Sequence, residues 1–166
     1  SRGLGDVYKR QEKVVLPTVA FVGRLFPNLT VQGLGDPNYA YSLLKQYKGE
    51  WEFDTNWKMI FGHPKKAGWI KAIQEAQQTV QKGLKLDCPI LVMSSNKSFP
   101  ETETWHEEYM TSDIVLDVQD IQKYGEKLGD KVTRDTIPNG IHDLILSQKP
   151  YRNDAYQTIF EWLKKQ

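Results

Sequence analysis

The sequence predicts an α/β fold in which parallel strands are joined by crossover helices. Three observations support it: residues 84–166 alternate strand and helix patterns, their first strand is wholly apolar, and their last helix is amphipathic. A short, wholly apolar strand is typical of a parallel sheet that is covered on both faces. Strand, helix and strand segments of these lengths favour parallel strands connected by a right-handed crossover.

Residues 84–166 contain four predicted elements. In chain order they are the strand Cys88–Met93, the helix Val118–Leu128, the strand Lys131–Ile137 and the helix Asn153–Lys164. Gly129 is expected to end the first helix, and Pro138, Asn139 and Gly140 form a turn after the second strand. We expect Cys88 to be a small buried residue and not a reactive thiol, because no basic partner lies beside it in the sequence.

Residues 12–83 are rich in aromatic side chains and contain no strong strand pattern. The predicted segments are the helix Val14–Leu25, the loop Asn28–Pro37, the short helix Tyr39–Tyr47, the irregular stretch Gly49–Trp57 and the helix Gly68–Gly83. Trp51, Phe53 and Trp57 lie two and four positions apart, which fits a period of two. We expect them to form a local core, with the lining of a substrate pocket as the alternative.

Composition excludes several classes of protein. The chain carries 22 Lys and Arg against 21 Asp and Glu, a net charge of +1, which gives no basic surface for nucleic acid. Its single cysteine excludes an internal disulfide framework. The longest apolar stretch, Val14–Phe26, is shorter than the roughly 20 residues that span a bilayer. We therefore expect no stable membrane insertion and a cytoplasmic location, with a signal peptide as the alternative for this stretch.

The first eleven residues, SRGLGDVYKRQ, resemble a translated adapter sequence and not a natural protein start. We expect Ser1–Gln11 to be a non-native extension, so that the authentic protein would continue on the N-terminal side of Glu12. An ordinary flexible terminus is the alternative.

Two residues are candidates for acid–base chemistry. Asp113 follows the first predicted strand, and His142 follows the second strand and its turn, 29 positions later. The carboxyl ends of neighbouring parallel strands meet at one edge of a sheet, so these side chains are expected to lie together. A serine nucleophile needs a base to take its proton, and the base needs a buried carboxylate that fixes its tautomer.

Other acidic residues compete for the role of the acid. Asp117 is the main alternative to Asp113, which could instead cap the following helix. Asp143, next to His142, is expected to be a local hydrogen-bond acceptor. His63 and His106 are expected to be structural or exposed, and no ligand spacing supports a zinc site built from them with Cys88.

The chain resembles the serine aminopeptidase (S33) group of α/β-hydrolases, which includes monoglyceride lipase and lysophospholipase-like enzymes. Six segments carry the resemblance in order: GRLFPNL (23–29), GEWEFDTNWK (49–58), HPKKAGWIKAI (63–73), CPILVMSS (88–95), SDIVLDVQDI (112–121) and IPNGIHDLILS (137–147). The resemblance implies that residues 12–83 form a cap or lid and that residues 84–166 form the C-terminal part of the core. It also implies that Asp113 is the triad acid and His142 the base.

The chain departs from that group in two ways. It contains no Gly-x-Ser-x-Gly nucleophile motif, although a serine precedes the acid and the base in α/β-hydrolases. The loop Asn96–Ser112 is also longer than in monoglyceride lipase. The expected function is therefore a serine-hydrolase fragment for a small-molecule or lipid-like ester, without cofactor or metal, inactive until the upstream serine is supplied. The alternatives are a non-catalytic ligand-binding module and an aminopeptidase of the same fold.

Overall fold

A computed structural model describes the backbone of residues 16–166 and the side chains of residues 21–166. The elements in chain order are α1 (Leu16–Leu25), β1 (Thr30–Gln32), α2 (Asn38–Leu43), β2 (Lys65–Lys66), α3 (Ala67–Lys82), β3 (Ile90–Ser95), α4 (Val118–Gly125), β4 (Val132–Ile137) and α5 (Lys149–Leu163). Short 3-10 turns lie at Glu107–Met110 and Leu144–Leu146. The mixed α/β class predicted from the sequence is confirmed. The predicted extension Ser1–Gln11 and the predicted start of the first helix at Val14 lie outside the described residues.

Contacts divide the chain into two compact units. The first contains the described residues up to Gly35 together with Gly62–Gln81, and the second contains Asp36–Phe61 and Lys82–Gln166. The boundaries differ from the division after residue 83 that the sequence pattern suggests, since residues 36–61 pack in the same unit as the C-terminal half.

The first unit is built from α1, α3 and a two-stranded antiparallel sheet. Thr30 of β1 pairs with Lys66 of β2, and the Ala67 N–H donates to the Leu29 carbonyl at 2.8 Å. The prediction that Asn28–Pro37 is entirely loop is therefore wrong at Thr30–Gln32. The reason is that strand β1 depends on a partner more than thirty positions away, which a local pattern does not contain.

Helix α3 agrees with its predicted bounds to within a residue. Gly83 follows it with φ of 97°, the left-handed conformation that glycine adopts at a helix end. Helix α4 is shorter than predicted. Tight turns, in which the Lys127 N–H donates to Tyr124 and the Leu128 N–H to Gly125, replace its last turn.

The second unit is organised around the parallel pair β3 and β4. Six residue pairs are in register, from Ile90 opposite Val132 to Ser95 opposite Ile137, so the predicted parallel pairing is confirmed. Helix α4 packs on β3, and the Trp162 indole of α5 donates to the Thr133 hydroxyl at 3.2 Å. The buried apolar core of the second unit includes Leu43, Leu44, Tyr109, Ile137, Ile141 and Ala155.

Three burial predictions require correction. Cys88 is exposed, because it precedes β3 at the amino end and does not lie within the strand. Strand β3 is half-buried along Ile90–Met93 instead of fully buried, since β4 is its one strand neighbour among the described residues. Trp57 is 88% exposed and contributes nothing to a local core. In the described residues, no helix has the length and apolar character needed to cross a membrane.

Candidate active site

Asp113 lies beside the continuation of β3 although a long loop separates the two in sequence. Its N–H donates to the Lys97 carbonyl at 3.0 Å, and its own carbonyl accepts from the Phe99 N–H at 2.9 Å. Asp113 thus forms a parallel bridge with Ser98, just past the end of β3. The chain leaves the sheet, closes a loop and returns to the same edge.

The loop that leads to Asp113 is anchored by Tyr109, which is fully buried. The Tyr109 hydroxyl accepts from the Thr102 N–H at 2.8 Å, and the Asn38 amide donates to the Thr102 carbonyl at 2.7 Å. The Phe99 and Tyr109 rings meet edge to face at 5.7 Å. These contacts hold the loop against helix α2.

His142 follows β4 after one tight turn. The Gly140 N–H donates to the Ile137 carbonyl at 3.1 Å, and Asn139 has φ of 59°. Proline followed by a residue of positive φ is the signature of a type II turn, in which asparagine is tolerated. The Asn139 N–H also donates to the Asn96 side chain at 3.0 Å, so the turn is tied to the end of β3.

The structure brings Asp113 and His142 together. His142 Nδ1 lies 3.0 Å from Asp113 Oδ2, with the histidine side chain 28% exposed and the aspartate side chain 2% exposed. A carboxylate only accepts, so Nδ1 carries the proton and Nε2 is left as the acceptor of the neutral ring. The other carboxylate oxygen accepts from the N–H groups of Val115 and Leu116, each at 2.8 Å.

The electrostatics follow from this geometry. Burial acts to raise the pKa of the Asp113 carboxyl, but the hydrogen bonds from His142 and the two backbone N–H groups outweigh it and lower that pKa below its ordinary value. The hydrogen bond to Asp113 raises the pKa of His142 above its ordinary value, although burial acts in the opposite direction. Asp113 is therefore held in its ionised form, and its negative charge stabilises a positive charge on the His142 imidazole.

Nε2 of His142 makes no hydrogen bond to the residues that the structure describes. No serine of residues 21–166 is bonded to the ring. Five serine hydroxyls bond to backbone groups (Ser42, Ser94, Ser95, Ser98 and Ser147), and that of Ser112 is buried with no hydrogen-bond partner in this part of the chain. Cys88 precedes β3 at its amino end, whereas the site lies past the other end of this strand, which is about 20 Å long. Within the described range, Nε2 is therefore able to accept a hydrogen bond or a proton.

The other acidic candidates have different partners. Asp117 is the N-cap of α4, and its side chain accepts from the Gln119 N–H at 2.8 Å. Asp143 was expected to accept a local hydrogen bond, but its partner is distant in sequence: the Tyr39 hydroxyl donates to Asp143 Oδ2 at 2.5 Å. Neither residue replaces Asp113 as the partner of the imidazole.

The remaining histidines are separate from the pair. His63 is exposed, and His106 packs against the rings of Phe99 and Tyr109 in the loop that leads to Asp113. No group of three or more histidine, cysteine, aspartate or glutamate side chains is arranged to hold a metal within the described part of the chain.

Sequence reasoning missed the residues that support the histidine turn. Besides Tyr39, the Trp51 indole donates to the Leu146 carbonyl at 2.8 Å, and Glu50 accepts from the Lys149 N–H at 3.2 Å. The two residues of each of these three pairs are 95 to 104 positions apart in sequence, and no local motif predicts the contact between them. The irregular aromatic stretch thus supports the site and is not merely a local core.

Comparison with known proteins does not add a relative. The chain matches no protein-family model, and searches of curated proteins and of solved structures found no match.

Proposed function

We propose that Asp113 and His142 are the acid and the base of a serine-hydrolase triad, in the C-terminal part of an α/β-hydrolase core, that acts on a carboxylic ester. The observation that carries the proposal is the 3.0 Å contact between His142 Nδ1 and Asp113 Oδ2 at the carboxyl ends of two neighbouring parallel strands. The resemblance to hydrolases of lipid-like esters supports this substrate class.

Each residue has a definite role in this proposal. Asp113 fixes the ring orientation and the Nδ1–H tautomer of His142. Nε2 takes the proton of a serine hydroxyl as the serine attacks the ester carbonyl, and returns that proton to the leaving alcohol. The buried carboxylate stabilises the imidazolium that forms in between. No metal or cofactor is needed for these steps.

The nucleophile in this proposal is the serine of a Gly-x-Ser-x-Gly motif upstream of the chain, because residues 1–166 contain no such motif. Chain 1–166 is therefore expected to hydrolyse p-nitrophenyl esters no faster than the uncatalysed background. His142→Ala serves as the matched control. Turnover by chain 1–166 that His142→Ala abolishes would contradict the external nucleophile.

The decisive experiment starts from the gene. The DNA upstream of the Glu12 codon is sequenced, and any longer reading frame that encodes Gly-x-Ser-x-Gly is expressed. In that chain, His142→Ala is expected to lower kcat for an ester by about 10⁶, because loss of the triad base costs about as much as loss of the whole triad. Asp117→Asn is the control, with kcat close to that of the parent chain.

Two results would contradict the ester-hydrolase proposal. One is an upstream sequence without a serine motif, and the other is an equal loss of kcat in the Asp117→Asn and Asp113→Asn variants. An esterase and an aminopeptidase would use the same triad, so they are separated by substrate. An esterase prefers a fatty-acyl ester, and an aminopeptidase prefers an aminoacyl anilide with a free α-amino group.

A further inference from the structure

Tyr39 and Asp143 are joined by a reciprocal pair of hydrogen bonds. The Tyr39 hydroxyl donates to Asp143 Oδ2 at 2.5 Å and accepts from the Asp143 N–H at 3.2 Å, across 104 positions of sequence. One phenol oxygen thus holds both the backbone and the side chain of the residue that follows His142. Burial raises the pKa of Tyr39, and the hydrogen bond to Asp143 adds to the effect, so the phenol stays protonated as a donor.

Lys58 completes this arrangement. Its ammonium lies 3.7 Å from Asp143 Oδ2 and 5.2 Å from the centre of the Tyr39 ring. Both partners of the ion pair are about 45% exposed, 45% for Lys58 and 44% for Asp143, so solvent screens it and the contact adds little stability. It places a positive charge beside the same carboxylate oxygen that Tyr39 binds.

Asp143 consequently makes no hydrogen bond to the imidazole. In the described residues the one carboxylate bonded to His142 is that of Asp113. The Tyr39 ring meets the imidazole edge to face, with centroids 6.2 Å apart and an interplanar angle of 74°. The histidine is therefore bounded by Asp113 on Nδ1 and by the Tyr39 ring.

We propose that Tyr39 is a positioning residue for His142, which it holds in register with Asp113 by fixing the backbone and the carboxylate of Asp143. The proposal rests on the proposed function, since it assigns Tyr39 a role in that same site. The physical reason is that His142 lies between the tight turn after β4 and the 3-10 turn Leu144–Leu146, outside any helix or strand, where local structure gives little rigidity. A base must be held to a fraction of an ångström to work, and supporting contacts supply that precision.

Chain 1–166 itself allows a test that needs no nucleophile. Proton NMR of the protein labelled with ¹⁵N-histidine would follow the hydrogen-bonded Nδ1 proton of His142, assigned by its loss in His142→Asn. In Tyr39→Phe this proton is expected to exchange with water about tenfold faster, the effect of losing one hydrogen bond to a charged group. Tyr41→Phe is the matched control, because the Tyr41 hydroxyl has no hydrogen bond to the described residues and should leave the exchange rate unchanged.

Two changes at Asp143 provide an independent test. Asp143→Ala removes the carboxylate that Tyr39 binds, and exchange should again be about tenfold faster. Asp143→Asn keeps an acceptor oxygen and the backbone N–H, and should restore a rate within about twofold of the parent chain. The thermal unfolding midpoint of each variant shows whether it is folded. Faster exchange in a variant whose midpoint equals that of Tyr41→Phe identifies positioning and not general loosening.

The outcomes separate this proposal from the proposed function. If Tyr39→Phe exchanges at the rate of Tyr41→Phe, Tyr39 does not position His142, and the proposal is overturned even if Asp113→Asn abolishes the signal. If Asp113→Asn leaves the signal unchanged, the acid–base pair and the proposed function fail. The positioning proposal fails with them, because it requires His142 to be paired with Asp113.

Discussion

At the scale of single residues, the Asp113–His142 pair is a hydrogen bond between a fully buried carboxylate and a partly exposed imidazole. Removing one member would leave the other with an unsatisfied polar group, which costs more than the bond itself contributes. The strength of the pair depends on pH, because both residues titrate.

The interaction between the two residues is expected to be strongest between the folded-state pKa of Asp113 and that of His142. Asp113 has its pKa lowered below 3.8, so its contribution to stability is lost as pH falls through that lowered value. His142 has its pKa raised above 6.5, so its contribution is lost as pH rises through the raised value. Urea unfolding of Asp113→Asn, His142→Asn and the double variant should give a coupling free energy of about 1–3 kcal/mol near pH 6. A coupling that stays constant from pH 3 to pH 9 would contradict the assigned pair.

The sequence predicts these two residues but not their surroundings. Asp113 and His142 follow strand patterns, and the edge of a parallel sheet brings strand ends together whatever the intervening loop does. The contacts of Tyr39 and Trp51 depend on how residues 36–61 pack on the histidine turn. That packing joins segments about 100 positions apart and has no periodic signal.

At the scale of elements, helix α4 approaches β3 closely at Gly125. A Cβ atom added there would lie 2.8 Å from Val92 Cγ1, closer than van der Waals contact allows. Because glycine has no Cβ, Gly125 allows helix α4 to lie this close to strand β3, besides marking the end of the helix. The sequence pattern located both elements but placed the stop at Gly129, because the pattern alone does not show how close the helix comes to the sheet.

Gly125→Ala is expected to lower the free energy of unfolding by about 1–3 kcal/mol, the cost of overpacking a well-packed contact. Gly33→Ala is the control, since no heavy atom lies within 4 Å of its added Cβ, and should change that energy by about 0.5 kcal/mol or less. Gly125→Ala should lower the free energy of unfolding less in a Val92→Ala background than in the parent chain, because the clashing methyl group is then absent. Equal effects of the two single alanine substitutions would contradict the steric explanation.

Local periodicity explains which elements were predictable. Helix α3 has a full apolar repeat and a terminal glycine, so its bounds follow from the chain itself. Strands β1 and β2 are three and two residues long and exist only as a pair. The burial of Cys88 was mispredicted because it depends on where β3 begins, and the apolar run starts two residues before the strand does.

At the scale of the whole molecule, the described residues expose many large apolar side chains. On α5 they form a stripe at helical spacing, in which Tyr156 is 41% exposed, Phe160 57% and Leu163 52%. Large exposed apolar patches bind hydrophobic dyes and lower solubility.

Replacing Phe160 and Leu163 with lysine is expected to reduce the fluorescence of a bound naphthalene sulfonate dye and to raise solubility. Both side chains are more than half exposed, so the thermal midpoint should stay within a few degrees of the parent value. Asn153→Lys with Gln157→Lys adds the same charge to exposed polar positions and is the control. A similar loss of dye binding in the control would show that charge, and not the stripe, governs the signal.

The position of Asp113 is set by its hydrogen bonds to the continuation of β3 and not by the loop that precedes it. Because backbone hydrogen bonds to Lys97 and Phe99 hold Asp113, the loop between Phe99 and Ser112 does not have to set the acid's place by its length. Doubling the length of a flexible loop adds only about 0.6 kcal/mol of closure entropy. Insertions in this loop, away from buried Tyr109, are therefore a route by which evolution or an engineer can change the chain beside the site while the carboxylate stays in position.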